Sequence, residues 1–197
     1  MGKTCIFTGI EVLKMKKIFL LLLVSFFCLE LSAQETKFSL GGGYAFGKGQ
    51  QSKERGTGYR VNGTYEVHPY RSMLAHGFTL SYISTEAEFM RNENDFLQEI
   101  THIPFTYNPK LMFSEEDSKA YLKGALGLQY SMSNVTGPSS VRKENDFGFY
   151  GGLAGGIELA ISYFAFVNME YEVGYISNGF LDNGFIHSAQ IGLGIKF

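Results

Sequence analysis

From residue 37 to residue 197 the chain repeats one pattern: stretches of about ten residues in which bulky apolar side chains alternate with small or polar ones. In 37–47, Phe38, Leu40, Tyr44 and Phe46 share one face, and Ser39, Gly41, Gly43 and Ala45 the other. In 165–176, Val167, Met169, Tyr171, Val173 and Tyr175 oppose Asn168, Glu170, Glu172 and Gly174. In the last eleven residues, His187, Ala189, Ile191, Leu193, Ile195 and Phe197 oppose Ser188, Gln190, Gly192, Gly194 and Lys196. A period of two is a strand signal. The pattern predicts eight strands, at about 37–47, 58–67, 73–86, 100–113, 118–131, 147–162, 165–176 and 187–197. The connections alternate as well. Long polar ones are expected at 48–57, 87–99, 132–146 and 177–185, and short ones at 68–72, 114–117 and 163–164.

Two closed barrels fit eight alternating strands. A soluble barrel points its apolar face inward, and a membrane barrel points it at lipid. Composition decides between them. The small-or-polar face is rich in glycine, and there is no Trp among 12 Tyr and 18 Phe. Tyr and Phe must therefore supply the aromatic girdles of the two headgroup levels. Tyr44, Tyr59, Tyr82, Tyr130, Phe149 and Tyr175 fall near the long connections, and Phe38, Tyr65, Phe113, Tyr163 and Phe197 near the short ones. The expectation is an all-β, eight-stranded antiparallel transmembrane up-and-down barrel over 34–197 with both termini on the periplasmic side. The closing segment, ending in Phe197, resembles the last strand of the bacterial outer-membrane β-barrel domain family. That resemblance implies the outer membrane of a Gram-negative-type cell, Phe197 as an assembly signal, and delivery by the outer-membrane insertion machinery.

The N-terminal third of a hundred residues reads differently. Lys14, Lys16 and Lys17 precede a predominantly apolar run of twelve, Ile18–Leu29, and Leu31-Ser32-Ala33 ends on a small residue. This is the layout of a secretory signal peptide. Twelve residues are too few for a helical span, which takes about 20. Residues 1–33 are expected to be removed after Ala33, with Met15 an alternative start to Met1. Both cysteines, Cys5 and Cys28, lie in that segment. Its loss takes 17 cations and 19 anions to 13 and 17, a net charge of −4. Without a basic excess, nothing points to nucleic acid.

Pro104 and Pro109 conflict with a strand at 100–113, because each removes a ladder donor and a closed barrel has no free edge. A bulge or a shortened strand is expected there. An eight-stranded barrel is just wide enough for its own side chains. The charges predicted to face inward are Arg60, Lys110, Lys123 and Lys196 against Glu66, Glu158, Glu170 and Glu172. Four against four suggests a paired filler network and a plugged lumen. A small channel is the competing reading.

Signatures of common catalysis (HExxH, CxxC, GxSxG, a P-loop) are absent. No cofactor or metal site is expected. Gly151–Gly156 lies inside an alternating strand and reads as packing glycine. The acidic Glu115-Glu116-Asp117 reads as a solvated turn. Lys48, Lys53, Arg55, Arg91, Arg142 and Lys143 fall in the long connections, where they can pair with lipopolysaccharide phosphates or face water. Tyr175-Ile-Ser-Asn-Gly, with Asn183 and Gly184 farther on, resembles the His-x-Ser-Asn segment of the lipid A 3-O-deacylase family. The resemblance implies an ester hydrolase acting in the outer leaflet. Ser177 and Asn178 match, Tyr175 stands where the family has its His, and no Glu follows Ser177. Strand parity puts Ser177 and His187 on one outward face, a candidate nucleophile and base. The favoured function is non-enzymatic: a structural or surface-interaction barrel displaying its four long loops.

Overall fold

The computed structural model describes residues 34–50, 52, 55–70, 72–91, 94–113, 118–138, 140–177 and 179–197. The signal-peptide reading of 1–33, Lys53, the acidic turn 114–117 and Asn178 lie outside the described residues. Eight strands follow in order: β1 Gln34–Gly49, β2 Arg55–Pro69, β3 Leu74–Arg91, β4 Asn94–Met112, β5 Ser118–Gly137, β6 Ser140–Ala160, β7 Ala165–Ile176 and β8 Leu181–Lys196. They form one closed barrel in sequence order. β8 returns antiparallel to β1, from Lys37↔Lys196 to Gly47↔Ile186. The seam is finished by Phe197, whose N–H donates to Thr36 O at 2.9 Å and whose carbonyl accepts from Thr36 N at 3.1 Å. No helix of the described residues is long and apolar enough to cross a membrane; crossing falls to the strands.

The bulky face points outward. Leu40, Leu80, Phe105, Leu122, Leu126, Leu153 and Leu193 are each more than half exposed, whereas Arg60, Glu158, Glu172 and Lys37 are buried. That inversion excludes the soluble barrel, because such a surface is stable only against hydrocarbon.

Seven of the eight strands are longer than the alternation suggests, while β7 keeps the expected 165–176. β7 has 12 residues and β6 has 21, beyond the roughly 9–11 a tilted membrane strand needs. The connections expected at 87–99 and 132–146 are largely ladder. β3 pairs with β4 out to Arg91↔Asn94, and β5 with β6 out to Gly137↔Ser140. β4 and β5 join the two hairpins as far as Leu97↔Thr136. The β2–β3 ladder stops at Thr57↔Glu86 and the β6–β7 ladder at Tyr150↔Ile176. A four-stranded blade, β3 to β6, therefore stands above the loop-end rim. Polar residues fit it because an antiparallel sheet can face water. Phe89 stacks on Phe96 inside it, ring centroids 5.5 Å apart. The connection expected at 177–185 shrinks likewise, since β8 begins at Leu181.

No bulge forms at either proline. β4 keeps one register with β3 on both sides of Pro104, from Leu80↔Phe105 to Ile83↔His102. It keeps one register with β5 on both sides of Pro109, from Tyr107↔Leu126 to Lys110↔Lys123. The ladder is interrupted on the β3 side at Pro104 and on the β5 side at Pro109. An alternating ladder thus loses rungs without shifting. The irregularity lies instead between β1 and β8, where Gly47↔Ile186 gives way to Gly49↔Leu181. Gly184 makes this possible with φ 70. A Cβ there would lie 2.6 Å from the Tyr175 ring and 2.9 Å from Ile176 O.

Candidate functional site

The interior is built in layers by the inward residues of facing strands. Nearest the short turns, Glu158 of β6 is the hub. Lys37 Nζ of β1 lies 2.7 Å from Glu158 Oε1, and Lys110 Nζ of β4 lies 3.1 Å from Glu158 Oε2 and 3.0 Å from Glu66 Oε2 of β2. Lys196 of β8 approaches Glu158 and Glu35 at 3.8 Å. Lys110 also sits 4.2 Å above the Tyr121 ring, a cation–π contact.

The next layer joins β2, β3, β5, β6, β7 and β8. Glu170 accepts from Lys123, from Tyr121 Oη at 2.9 Å and from Gln190 Nε2 at 2.6 Å. Arg60 Nη1 lies 3.0 Å from Glu172 Oε2, an ion pair rather than an aligned hydrogen bond. Arg60 also donates to Ser188 Oγ and Ser81 Oγ, both at 3.1 Å. Tyr150 Oη donates to the other oxygen of Glu172.

All eight inward charges read from the sequence meet a partner of opposite sign. Two more were legible and missed: Lys37, the first residue of the expected strand, and Glu35, two residues before it, continue the parity of Ser39. The inward rings were missed for a different reason. Tyr121 covers Gly156, Tyr150 covers Gly174 and Phe166 covers Gly194; a Cβ at any of these glycines would overlap the ring. Which glycine takes which ring depends on cross-strand register, and one sequence does not carry that.

Among the described residues, the space left in this region is about 30 Å³, bordered by Lys37, Glu66, Lys110, Tyr121, Lys123 and Glu170. That is room for about two waters. Towards the long connections the lining turns apolar. Ala45, Ile83, Ile100, Tyr150, Ile176, Leu181 and Ile186 form one buried cluster with Phe180 packed on it. Ser52, from the β1–β2 connection, donates its N–H to Gln98 Oε1 of the blade at 3.2 Å.

The outward pair is not assembled as parity suggested. Ser177 Oγ accepts from Phe149 N at 2.7 Å, and Ser177 N donates to Phe149 O at 3.1 Å. His187 is opposite Val173, four residues before Ser177 along β7. At a rise of about 3.3 Å per residue the two levels differ by roughly 13 Å. The Nδ1 of His187 pairs with Tyr171 Oη at 2.9 Å, and its ring stacks on Phe46 at 5.1 Å. Asp182, the nearby carboxylate, is bridged to Lys48 at 2.9 Å. Parity names a face but not a height, and the hydrogen-bond reach that nucleophile activation needs is missing. Among the described residues, no group of three or more His, Cys, Asp or Glu is placed to hold a metal ion.

Several solved structures share this architecture. Neisserial surface protein A is similar at a TM-score of 0.58 and 15% identity, covering 82% of this chain and 97% of its own. The attachment invasion locus protein Ail of Yersinia pestis is similar at 0.56 and 15%, covering 84% and 99%. A major outer membrane protein from Thermus thermophilus is similar at 0.58 and 9%, covering 82% and 99%. No curated protein matches the chain in sequence. The model of the outer membrane protein beta-barrel domain family matches residues 19–197. The chain belongs to that family, and its place is the outer membrane of a Gram-negative-type cell.

Proposed function

We propose that this protein is a non-enzymatic outer-membrane barrel with a plugged lumen, whose work is structural and done at its surface. The observation that supports the plug best is the hub at Glu158, which holds Lys37 at 2.7 Å and Lys110 at 3.1 Å across the barrel. Buried charges so paired resist separation, because freeing either partner leaves a charge in a low dielectric. The apolar cluster around Ile176 and Leu181 forms a second barrier of another kind.

The surface offered to partners is the four connections first expected at 48–57, 87–99, 132–146 and 177–185, with the blade as their tallest part. Lipopolysaccharide and host or envelope ligands are the partners this reading implies. In one solved structure, Ail is in complex with the heparin analogue sucrose octasulfate, a polyanion, at a TM-score of 0.50 and 16% identity to this chain. Exposed cations of the blade, such as Arg142 and Lys143, would meet a polyanion here. The leader would be removed after Ala33. The insertion machinery would read Phe197, so deleting it should lower the amount of heat-modifiable protein in the membrane.

The rival reading is a lipid A deacylase using Ser177. Lipid A mass spectra of cells with and without the protein separate the two. Unchanged spectra are expected; a shift by one acyl chain would overturn the non-enzymatic reading.

A further inference from the structure

The lipid-facing wall is not uniform. On β3, β4 and β5 two adjacent outward rows are bulky: Phe78 beside Tyr107 beside Leu126, then Leu80 beside Phe105 beside Leu128. On β6, β7, β8 and β1 the matching rows contain residues with little or no side chain. One row runs Gly155, Tyr171, Ala189, Tyr44, and its neighbour runs Ile157, Met169, Ile191, Gly42. The missing side chains leave an open apolar groove of about 540 Å³ bordered by Gly42, Gly155, Met169, Tyr171, Ala189 and Ile191.

A polar ledge closes the groove towards the loop end. Tyr171 Oη meets His187 Nδ1 at 2.9 Å. The His187 ring lies flat on Phe46, centroids 5.1 Å apart and planes 5° apart. The Arg55 guanidinium lies 4.2 Å from the Phe46 centroid. Four strands thus contribute one contiguous series, Tyr171, His187, Phe46 and Arg55, ending in an exposed cation. Lys48, the next outward residue after Phe46 on β1, adds a second cation, bridged to Asp182. A guanidinium held on an aromatic face has lost much of its rotamer freedom before any ligand arrives, so less is lost on binding.

We propose that this wall is a docking site for the phosphorylated, acylated glycolipid of the outer leaflet, with an acyl chain in the groove and a phosphate on Arg55. This rests on the reading of the outer surface as the working part of the protein. Charge complementarity selects the occupant: an apolar channel below a fixed guanidinium matches an acyl chain below a phosphate. A second barrel would fill the groove but leave the ledge without an anion.

Native mass spectrometry of the full folded chain in mild detergent tests the site, with lipid A, dephosphorylated lipid A and phosphatidylglycerol as probes. Wild-type protein should retain lipid A and lose about tenfold in affinity when the phosphates are removed, as for one charge-assisted hydrogen bond. Arg55→Ala should lose a similar factor for lipid A and discriminate little between the two forms. Gly42→Leu with Gly155→Leu should weaken both forms by filling the groove. A Cβ at either glycine meets nothing closer than 3.7 Å, so the two substitutions do not force the backbone to shift. Equal retention by all variants, phosphatidylglycerol binding as tight as lipid A, or a two-copy complex lost on filling the groove would each overturn the proposal. Conductance of the same preparation tests the plug separately, so failure of the lipid site is distinguishable from failure of the sealed-barrel reading.

Discussion

The two halves of the barrel interior pack by different chemistry. The turn-end half is ionic: Glu158, Glu66, Lys37 and Lys110 meet within 3.8 Å of one another's charges. The loop-end half packs without ion pairs: Ile83, Ile100, Ile176 and Ile186 meet with exposures of 3% or less, beside the buried neutral side chains of Gln98, Gln129 and Ser131. Apolar packing is tolerant, since losing a methyl group costs its own burial and a small cavity. Ionic packing is conditional, because each member depends on the charge opposite. The half that packs by charge is therefore expected to be the more fragile to single changes, and the apolar half the more forgiving.

The largest effect is expected at the hub. Glu158→Leu leaves Lys37, Lys110 and Lys196 short of a carboxylate, and destabilisation of about 3–5 kcal/mol is expected. Urea unfolding of the folded protein in detergent, followed by the heat-modifiable gel shift, measures it. A change below about 1 kcal/mol would mean the layer is solvated, contrary to its burial.

Arg60→Leu should cost about as much by removing the nearest cation of Glu172, which is left with Lys123 at 3.8 Å. Adding Glu172→Leu should recover most of that loss, because a buried ion pair replaced by packed apolar groups is often neutral. No recovery in the double variant would show that Tyr150 and Lys123 depend on Glu172 as much as Arg60 does.

In the apolar half, Ile176→Ala should cost about 2–4 kcal/mol, the range for a large-to-small change in a packed core. Its effect should be no larger than that of Glu158→Leu in the same unfolding series. The reverse order would break the comparison. The smallest effect is expected at Ser177→Ala: at an exposed position water can replace the Phe149 N–H acceptor, so the loss should stay below about 1 kcal/mol. Lipid A composition should be unaltered by that variant, and an altered spectrum would restore the hydrolase reading.

Strand number and order were legible from alternation, and the direction of the faces from composition, because one face meets lipid and the other a crowded lumen. The inward charges from Arg60 to Lys196 followed from parity. Glu35 escaped because the strand continues into polar residues before residue 37. The blade escaped for a related reason: Ala87, Glu88 and Arg142 read as loop, yet their backbones pair with neighbouring strands. Ser177 and His187 share a face but not a height. Pro104 and Pro109 looked disruptive, yet register on each side of them is set by long flanking ladders. Face was readable; height, register and ring-over-glycine packing needed three dimensions.

The claim that joins both halves is that the wild-type lumen is closed. Planar-bilayer recording of the purified, heat-modifiable protein tests it most directly. The account predicts no reproducible open-channel steps. Steps of constant amplitude from wild-type protein would contradict it, and would make the charged layers an ion path.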